Sequence, residues 1–147
     1  MRRRRSTLCL VVAALLTGAT ARAGGPRFRA LDVVVDAGTR PLAAYQIELT
    51  YDRKAISLVG LEGGDPPFAE APYYDPRGLT AGRVVVASFT LDRSPPRSAV
   101  RVARVHLAER TDGAGEITAR VTVAGTVGGA RIPASLRLIP YEEGGGR

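Results

Sequence analysis

His106 is the only imidazole in the 147-residue chain, and it falls between Val105 and Leu107 in an apolar run. Acid–base chemistry of the triad kind needs a nucleophile beside the imidazole and a third group to orient it. No G-x-S-x-G elbow marks a nucleophile, so His106 reads as a histidine on the surface of a strand. Zinc requires three or four ligands drawn from His, Cys and carboxylate. One His and one Cys (Cys9) do not supply them. Asp65, Glu70 and Asp75 share one segment, and two carboxylates held about 5–10 Å apart in a cleft would support glycoside hydrolysis. Asp is equally a turn former, and the prolines and glycines around these three favour turns. Calcium bound by loop oxygens is the remaining metal chemistry. The run TDGAGE (111–116) lacks the ordered carboxylate series of a dedicated calcium loop. Its Asp-Gly reads instead as a hairpin turn. No catalytic residue, metal or cofactor is therefore expected.

The residues best suited to recognition lie in GGDPPFAEAPYYDPRGLTAG (63–82). Four prolines there forbid a central strand or a long helix, so a long loop is expected. Loops of more than about 12–15 residues in a compact domain are often functional. Phe68, Tyr73 and Tyr74 offer flat apolar faces that stack on sugars or anchor protein interfaces. Phe68 is expected to fold back and cap the core. Tyr73 and Tyr74 are adjacent and not easily buried together, so one of them is expected as an exposed contact, with Asp75 and Arg77 as a polar rim.

The elements that would hold this loop are strands. LAAYQIELTYD (42–52) alternates: Ala43, Tyr45, Ile47, Leu49 and Tyr51 share one side, and Gln46, Glu48, Thr50 and Asp52 share the other. The first set is core. The outward set Gln46, Glu48 and Thr50 is either a solvent face or a second candidate binding surface. LDVVVDAG (31–38) places Leu31, Val33 and Val35 on one face. AISLVGLEGG (55–64) places Ile56, Leu58 and, after an irregularity, Leu61 inward. RVVVASFTL (83–91) is nearly continuous in its apolar residues and reads as buried on both faces. In AVRVARVHLAER (99–110) the parity slips between Val102 and Val105, which predicts a β-bulge near Ala103 or Arg104. EITARVTVAGTV (116–127) alternates, with Thr118, Arg120 and Thr122 outward, and ARIPASLRLI (130–139) turns Ile132, Ala134, Leu136 and Leu138 inward. No segment holds a helical period. Short strands at regular spacing predict an all-β antiparallel sandwich or barrel.

Residues 1–23 have the form of a secretory signal: Arg2 to Arg5, an apolar core over Leu8–Leu16, and Ala21-Arg22-Ala23 as an A-x-A site. Cleavage after Ala23 is expected, leaving a domain over 24–140, a flexible tail over 141–147, no stable membrane insertion, and an extracellular or periplasmic location. Five of the 21 basic residues and none of the 14 acidic ones lie in the signal, so 16 remain against 14, a net +2. A nucleic-acid partner needs a dense basic stripe, and none is present. Cys9 leaves with the signal, so no disulfide or thiol chemistry is expected of the mature chain.

LAAYQIELTYDRKAISLVGLEGGD resembles the cohesin domain: an aromatic-bearing strand ending in Tyr-Asp, a tight turn, then L-x-V and a glycine. GRVVVASFTL and VRVARVHLAERTDGAGEITA are similar to later cohesin strands, and the likeness spans about residues 30 to 139. Arg53 stands where the family usually has Pro. The resemblance implies a jelly-roll sandwich of about nine strands and a role in recognition. A secreted, non-catalytic module is expected, with a dockerin-like protein or a polysaccharide as partner. With no Trp, five Tyr and three Phe, a row of exposed aromatics for sugar is hard to assemble. A structural component of an envelope or secreted assembly is the alternative, followed by a small carbohydrate-active enzyme.

Overall fold

The computed structural model describes residues 25–110 and 115–142. Among them are eight strands: β1 (Arg27–Asp36), β2 (Ala44–Tyr51), β3 (Ile56–Gly63), β4 (Tyr73–Tyr74), β5 (Arg83–Phe89), β6 (Val100–Glu109), β7 (Ile117–Gly125) and β8 (Ser135–Tyr141). A 3-10 helix, Pro76–Thr80, separates β4 from β5. The strands form two four-stranded sheets, a back sheet β3-β6-β1-β8 and a front sheet β4-β5-β2-β7. Every pairing is antiparallel. β1 pairs with β8, β2 with β7, β3 with β6 and β4 with β5, the pattern of one long hairpin rolled into a sandwich. This is the jelly-roll-type sandwich that the resemblance implies, with eight strands among the described residues where about nine are expected.

The core lies between the sheets and follows the parities read from the sequence. Val33 and Val35 of β1, Ile47 and Leu49 of β2, Val86 of β5, and Val105 and Leu107 of β6 are fully buried. Burial of side chains this size contributes roughly 1.5–3 kcal/mol each. Tyr45 and Tyr51 are buried too, with their hydroxyls engaged. Tyr45 Oη donates to the Val102 carbonyl at 3.1 Å and Tyr51 Oη to the Gly78 carbonyl at 2.8 Å. Burial pushes the Tyr45 phenol well above its ordinary value. Phe68 is a core cap as expected, set edge-on to Tyr45 with ring centroids 5.3 Å apart.

Three bulges adjust the faces. The β1–β6 register shifts so that Val102 is the extra residue, and both Val102 and Ala103 are buried, which is the parity slip seen in the sequence. Val59 is the extra residue opposite β6, and this is the irregularity before Leu61. Thr122 is the extra residue of β7 opposite β2.

Several expectations are corrected. The 63–82 segment is not a structureless loop, because it carries β4 and the 3-10 helix; its prolines are tolerated because β4 is a two-residue edge strand. β5 is not buried on both faces, since Arg83 and Phe89 are exposed. TDGAG does not close a hairpin, because β6 and β7, the strands on either side of it, belong to different sheets. Residues 111–114 of that run, like the signal segment, lie outside the described residues. Pro140 and Tyr141 extend β8, with Tyr141 opposite Ala30. β1 begins earlier than its apolar run: its backbone pairs with β6 from Arg27 opposite Glu109, and Arg29 Nε donates to the Glu109 carboxylate at 2.6 Å.

Candidate functional site

The outer face of the front sheet follows from its register. Residues opposite one another in an antiparallel sheet point to the same side. Tyr73 lies opposite Ala87, Ala87 opposite Gln46, and Gln46 opposite Val123. The next row is Val85, Glu48 and Arg120, and the one after is Arg83, Thr50 and Thr118. In the other direction Phe89 lies opposite Ala44. Tyr73 from the 63–82 segment and the outward set of β2 thus form one surface, where the sequence offered them as two alternatives.

The adjacent tyrosines divide by strand parity. Tyr73 is 72% exposed, whereas Tyr74, opposite Val86, turns inward and packs on the core. Beside Tyr73, Phe89 and Leu91 are 59% and 84% exposed. These three rim a hollow of about 410 Å³ floored in part by Phe68. Asp75 caps the 3-10 helix by accepting from the Arg77 backbone N–H at 3.0 Å, and its carboxylate also takes Arg77 Nη2 at 2.8 Å. The Arg77 guanidinium holds the Asp75 carboxyl below its ordinary range. The two side chains pair with each other and cap the helix, and both stay exposed, Arg77 at 91% and Asp75 at 55%.

Glu48 is the main surprise of the front face. It points outward, as β2's alternation requires, yet only 7% of it is exposed. Two arginines cover it. Arg83 Nε donates to Oε2 at 2.7 Å, and Arg120 donates to Oε1 through Nε at 3.0 Å and Nη2 at 2.8 Å. Hydrogen bonds from Arg83 first and Arg120 second hold the Glu48 carboxyl below its usual range. Gln46 is fixed as well: its Nε2 donates to Thr122 Oγ1 at 3.0 Å, and that hydroxyl donates to the Gln46 carbonyl. Thr50 is exposed.

The remaining polar residues serve the fold. Asp65 N–H donates to the Arg101 carbonyl at 2.8 Å and Arg101 Nη2 donates to the Asp65 carboxylate at 2.7 Å. A Cβ on Gly64 would lie 1.9 Å from the same Arg101 carbonyl, so only glycine allows this approach. The resulting turn is what seats Phe68. Asp65 and Asp75 are thus each tied to their own arginine. His106 faces outward on β6 with Nε2 3.0 Å from Glu62 Oε1, without the alignment of a hydrogen bond. No cluster of three or more potential metal ligands occurs among the described residues.

Sequence reading missed Phe89, Leu91, Arg83 and the joint role of Arg83 and Arg120. Phe89 and Leu91 sit at the end of an apolar run that looked wholly buried. Arg120 was legible as outward, but its convergence with Arg83 on Glu48 depends on β5 and β7 flanking β2, which no local pattern encodes.

No family model and no curated protein matches the sequence. Among solved structures, the chain is similar to that of the Coh-OlpA–Doc918 complex of Clostridium thermocellum, a type I cohesin–dockerin complex (TM-score 0.61, 10% identity, 78% of this chain and 88% of the matched chain). It is similar to the complex of a CaDoc0917 variant with CaCohA2 (TM-score 0.60, 12% identity, 81% and 93%). It is also similar to the seventh ScaB type I cohesin of Pseudobacteroides cellulosolvens (TM-score 0.55, 13% identity, 76% and 77%). The domain has a cohesin-like fold.

Proposed function

We propose that this chain is a secreted, non-catalytic recognition module that docks a protein partner of dockerin type on the outer face of its front sheet. The observation that carries the reading is the composition of that face. Tyr73, Phe89 and Leu91 are exposed together, next to a row in which two arginines close over one glutamate. Aromatic and arginine side chains at the centre of a patch are the residue types that dominate protein interfaces. Glu48, Arg83 and Phe89 stand on β2 and β5, the two inner strands of the sheet, and Tyr73 and Arg120 stand on the flanking strands β4 and β7. The two complexes with similar folds, each of a cohesin with a dockerin, support the same direction.

Titration calorimetry of residues 24–147 against isolated dockerin domains tests the reading, with soluble cellulose fragments and xylan as counter-probes. Binding to a dockerin, lost when Tyr73 and Phe89 are both changed to Ala, is the expected result. Binding only to a polysaccharide would overturn it. The secretory part is tested separately: the N-terminus of exported protein should be Gly24, and a product retaining Arg2 to Arg5 would contradict it.

A further inference from the structure

We infer that Arg83 and Arg120 form a carboxylate-receiving pair, and that the partner is a protein segment bearing an Asp or Glu beside an apolar side chain. The inference rests on the docking-face reading above and specifies the chemistry of the partner.

The argument begins with a charge count. Among the outward residues of the four front strands, Glu48 is the only acid, and Arg83 and Arg120 are the only bases. One carboxylate is shared between two guanidiniums, so the cluster carries a net positive charge. The distribution of exposure is unequal in the same sense. Glu48 is nearly covered, whereas the Arg83 and Arg120 side chains remain 62% and 71% exposed. A guanidinium has five N–H donors and no acceptor. Arg120 spends two nitrogens, Nε and Nη2, on Glu48, and Arg83 likewise directs Nε and Nη2 at it. The Nη1 donors of both are not used on Glu48. A second carboxylate approaching from outside would find donors from two guanidiniums already held in place. Because Glu48 fixes both side chains beforehand, less rotamer freedom is lost on binding than for two free arginines.

The apolar part of the face selects the class of molecule. The Val85–Glu48–Arg120 row lies one step, about 7 Å along the strands, from the row that carries Tyr73. Phe89 and Leu91 continue the surface beyond Tyr73 around the 410 Å³ hollow. An acidic polysaccharide carries its charge on hydroxyl-rich rings and brings no wholly apolar side chain to cover Phe89 and Leu91. Nucleic acid needs many more cations than one net charge provides. A protein segment with one acidic and one apolar side chain satisfies both halves of the surface.

A phage-displayed random dodecapeptide library panned on residues 24–147 tests this. Recovered peptides should combine Asp or Glu with Leu, Ile or Phe. Their affinity should fall by roughly tenfold or more in Arg83→Gln/Arg120→Gln, the scale of a lost interfacial charge pair. Raising NaCl from about 50 to 500 mM should weaken wild-type binding and leave the double variant almost unaffected, a readout that does not depend on altered stability. Arg83→Glu/Arg120→Glu should select basic peptides instead. Peptides that lose affinity in Tyr73→Ala/Phe89→Ala but not in the arginine variants would overturn the carboxylate-receiving pair while leaving the docking face intact. Peptides indifferent to both sets would overturn the docking face itself. Displacement of the peptides by polygalacturonate at matched charge concentration would reassign the pair to an acidic polysaccharide.

Discussion

On the back sheet, Arg104 meets Asp32 at 2.7 Å, Arg101 meets Asp65 at 2.7 Å, and the Arg104 guanidinium also lies 3.4 Å above the Tyr141 ring. On the front sheet, Arg83 and Arg120 converge on a single carboxylate, Glu48. The same residue type does different work on the two faces. Arg104 is largely covered and completes a cross-strand network within the sheet. Arg83 and Arg120 are largely exposed and leave donors to spare. The apolar residues differ in parallel. The back face does expose Phe28 and Val59 beside a groove, but Tyr141 at that groove already has one ring face occupied by Arg104. On the front face Tyr73 extends from the edge strand with nothing stacked on it among the described residues. On the proposed reading, the back face's cross-strand ion pairs support the fold, and the front face's surplus donors beside exposed aromatics are the part offered to a partner.

The strongest way to separate fold from binding is to cut the core under the front face. Leu49→Ala should destabilise by about 2–5 kcal/mol in denaturant melts, yet leave affinity unchanged where the domain remains folded. A loss of affinity as large as that of the face variants would mean that the face has no energetic identity of its own. Next, Tyr73→Ala/Phe89→Ala should weaken partner binding by about 2 kcal/mol or more, roughly 30-fold. Phe28→Ala/Tyr141→Ala on the back face should leave it unchanged. The reverse pattern would exchange the roles of the two sheets.

Smaller effects sharpen the contrast. Arg104→Ala should cost about 1–3 kcal/mol of stability without touching affinity, since the ion pair it breaks is largely covered, hydrogen-bonded and internal to the back sheet. Tyr45→Phe removes the hydrogen bond to the Val102 carbonyl and should cost about 0.5–1.5 kcal/mol. It should also change the alkaline limb. The buried phenol keeps its proton after the unfolded chain, with an ordinary value of 10.0, has lost it. The Tyr45 contribution is thus level below pH 10 and is lost as the pH rises past it; Tyr45→Phe should flatten that fall. Thr50→Ala, exposed and without a side-chain hydrogen bond among the described residues, should stay within about ±0.5 kcal/mol. Glu48, two positions away, should not behave as such a surface site, because its loss leaves two guanidiniums facing each other.

Much of the fold was legible because period-two alternation reports directly on burial. The inward set of β2, the parity slip in β6 and the irregularity in β3 each correspond to a strand face or a bulge. Phe68 was legible as a cap because, unlike the two tyrosines of the segment, its ring has no polar group to keep in water. Sheet membership was not legible. TDGAG signals that the chain reverses, but not that β7 joins the opposite sheet from β6. The tyrosine pair shows the same limit at smaller scale. Read as loop, Tyr73 and Tyr74 had no defined directions; as a two-residue strand they must point to opposite sides. Glu48 was assigned the correct face and the wrong environment, because its cover comes from Arg83 and Arg120, 35 and 72 residues away.

The central claim is that the front sheet's outer face is the docking surface, and amide hydrogen exchange of the domain with and without a bound partner tests it most directly. A peptide recovered by display, or a dockerin domain that binds, serves as partner. The account predicts that added protection concentrates in Tyr73–Tyr74, β5, β2 and β7, with β3, β6, β1 and β8 unchanged. Protection concentrated on the back sheet around Phe28, Val59 and Tyr141, with β5 and β2 unchanged, would contradict it.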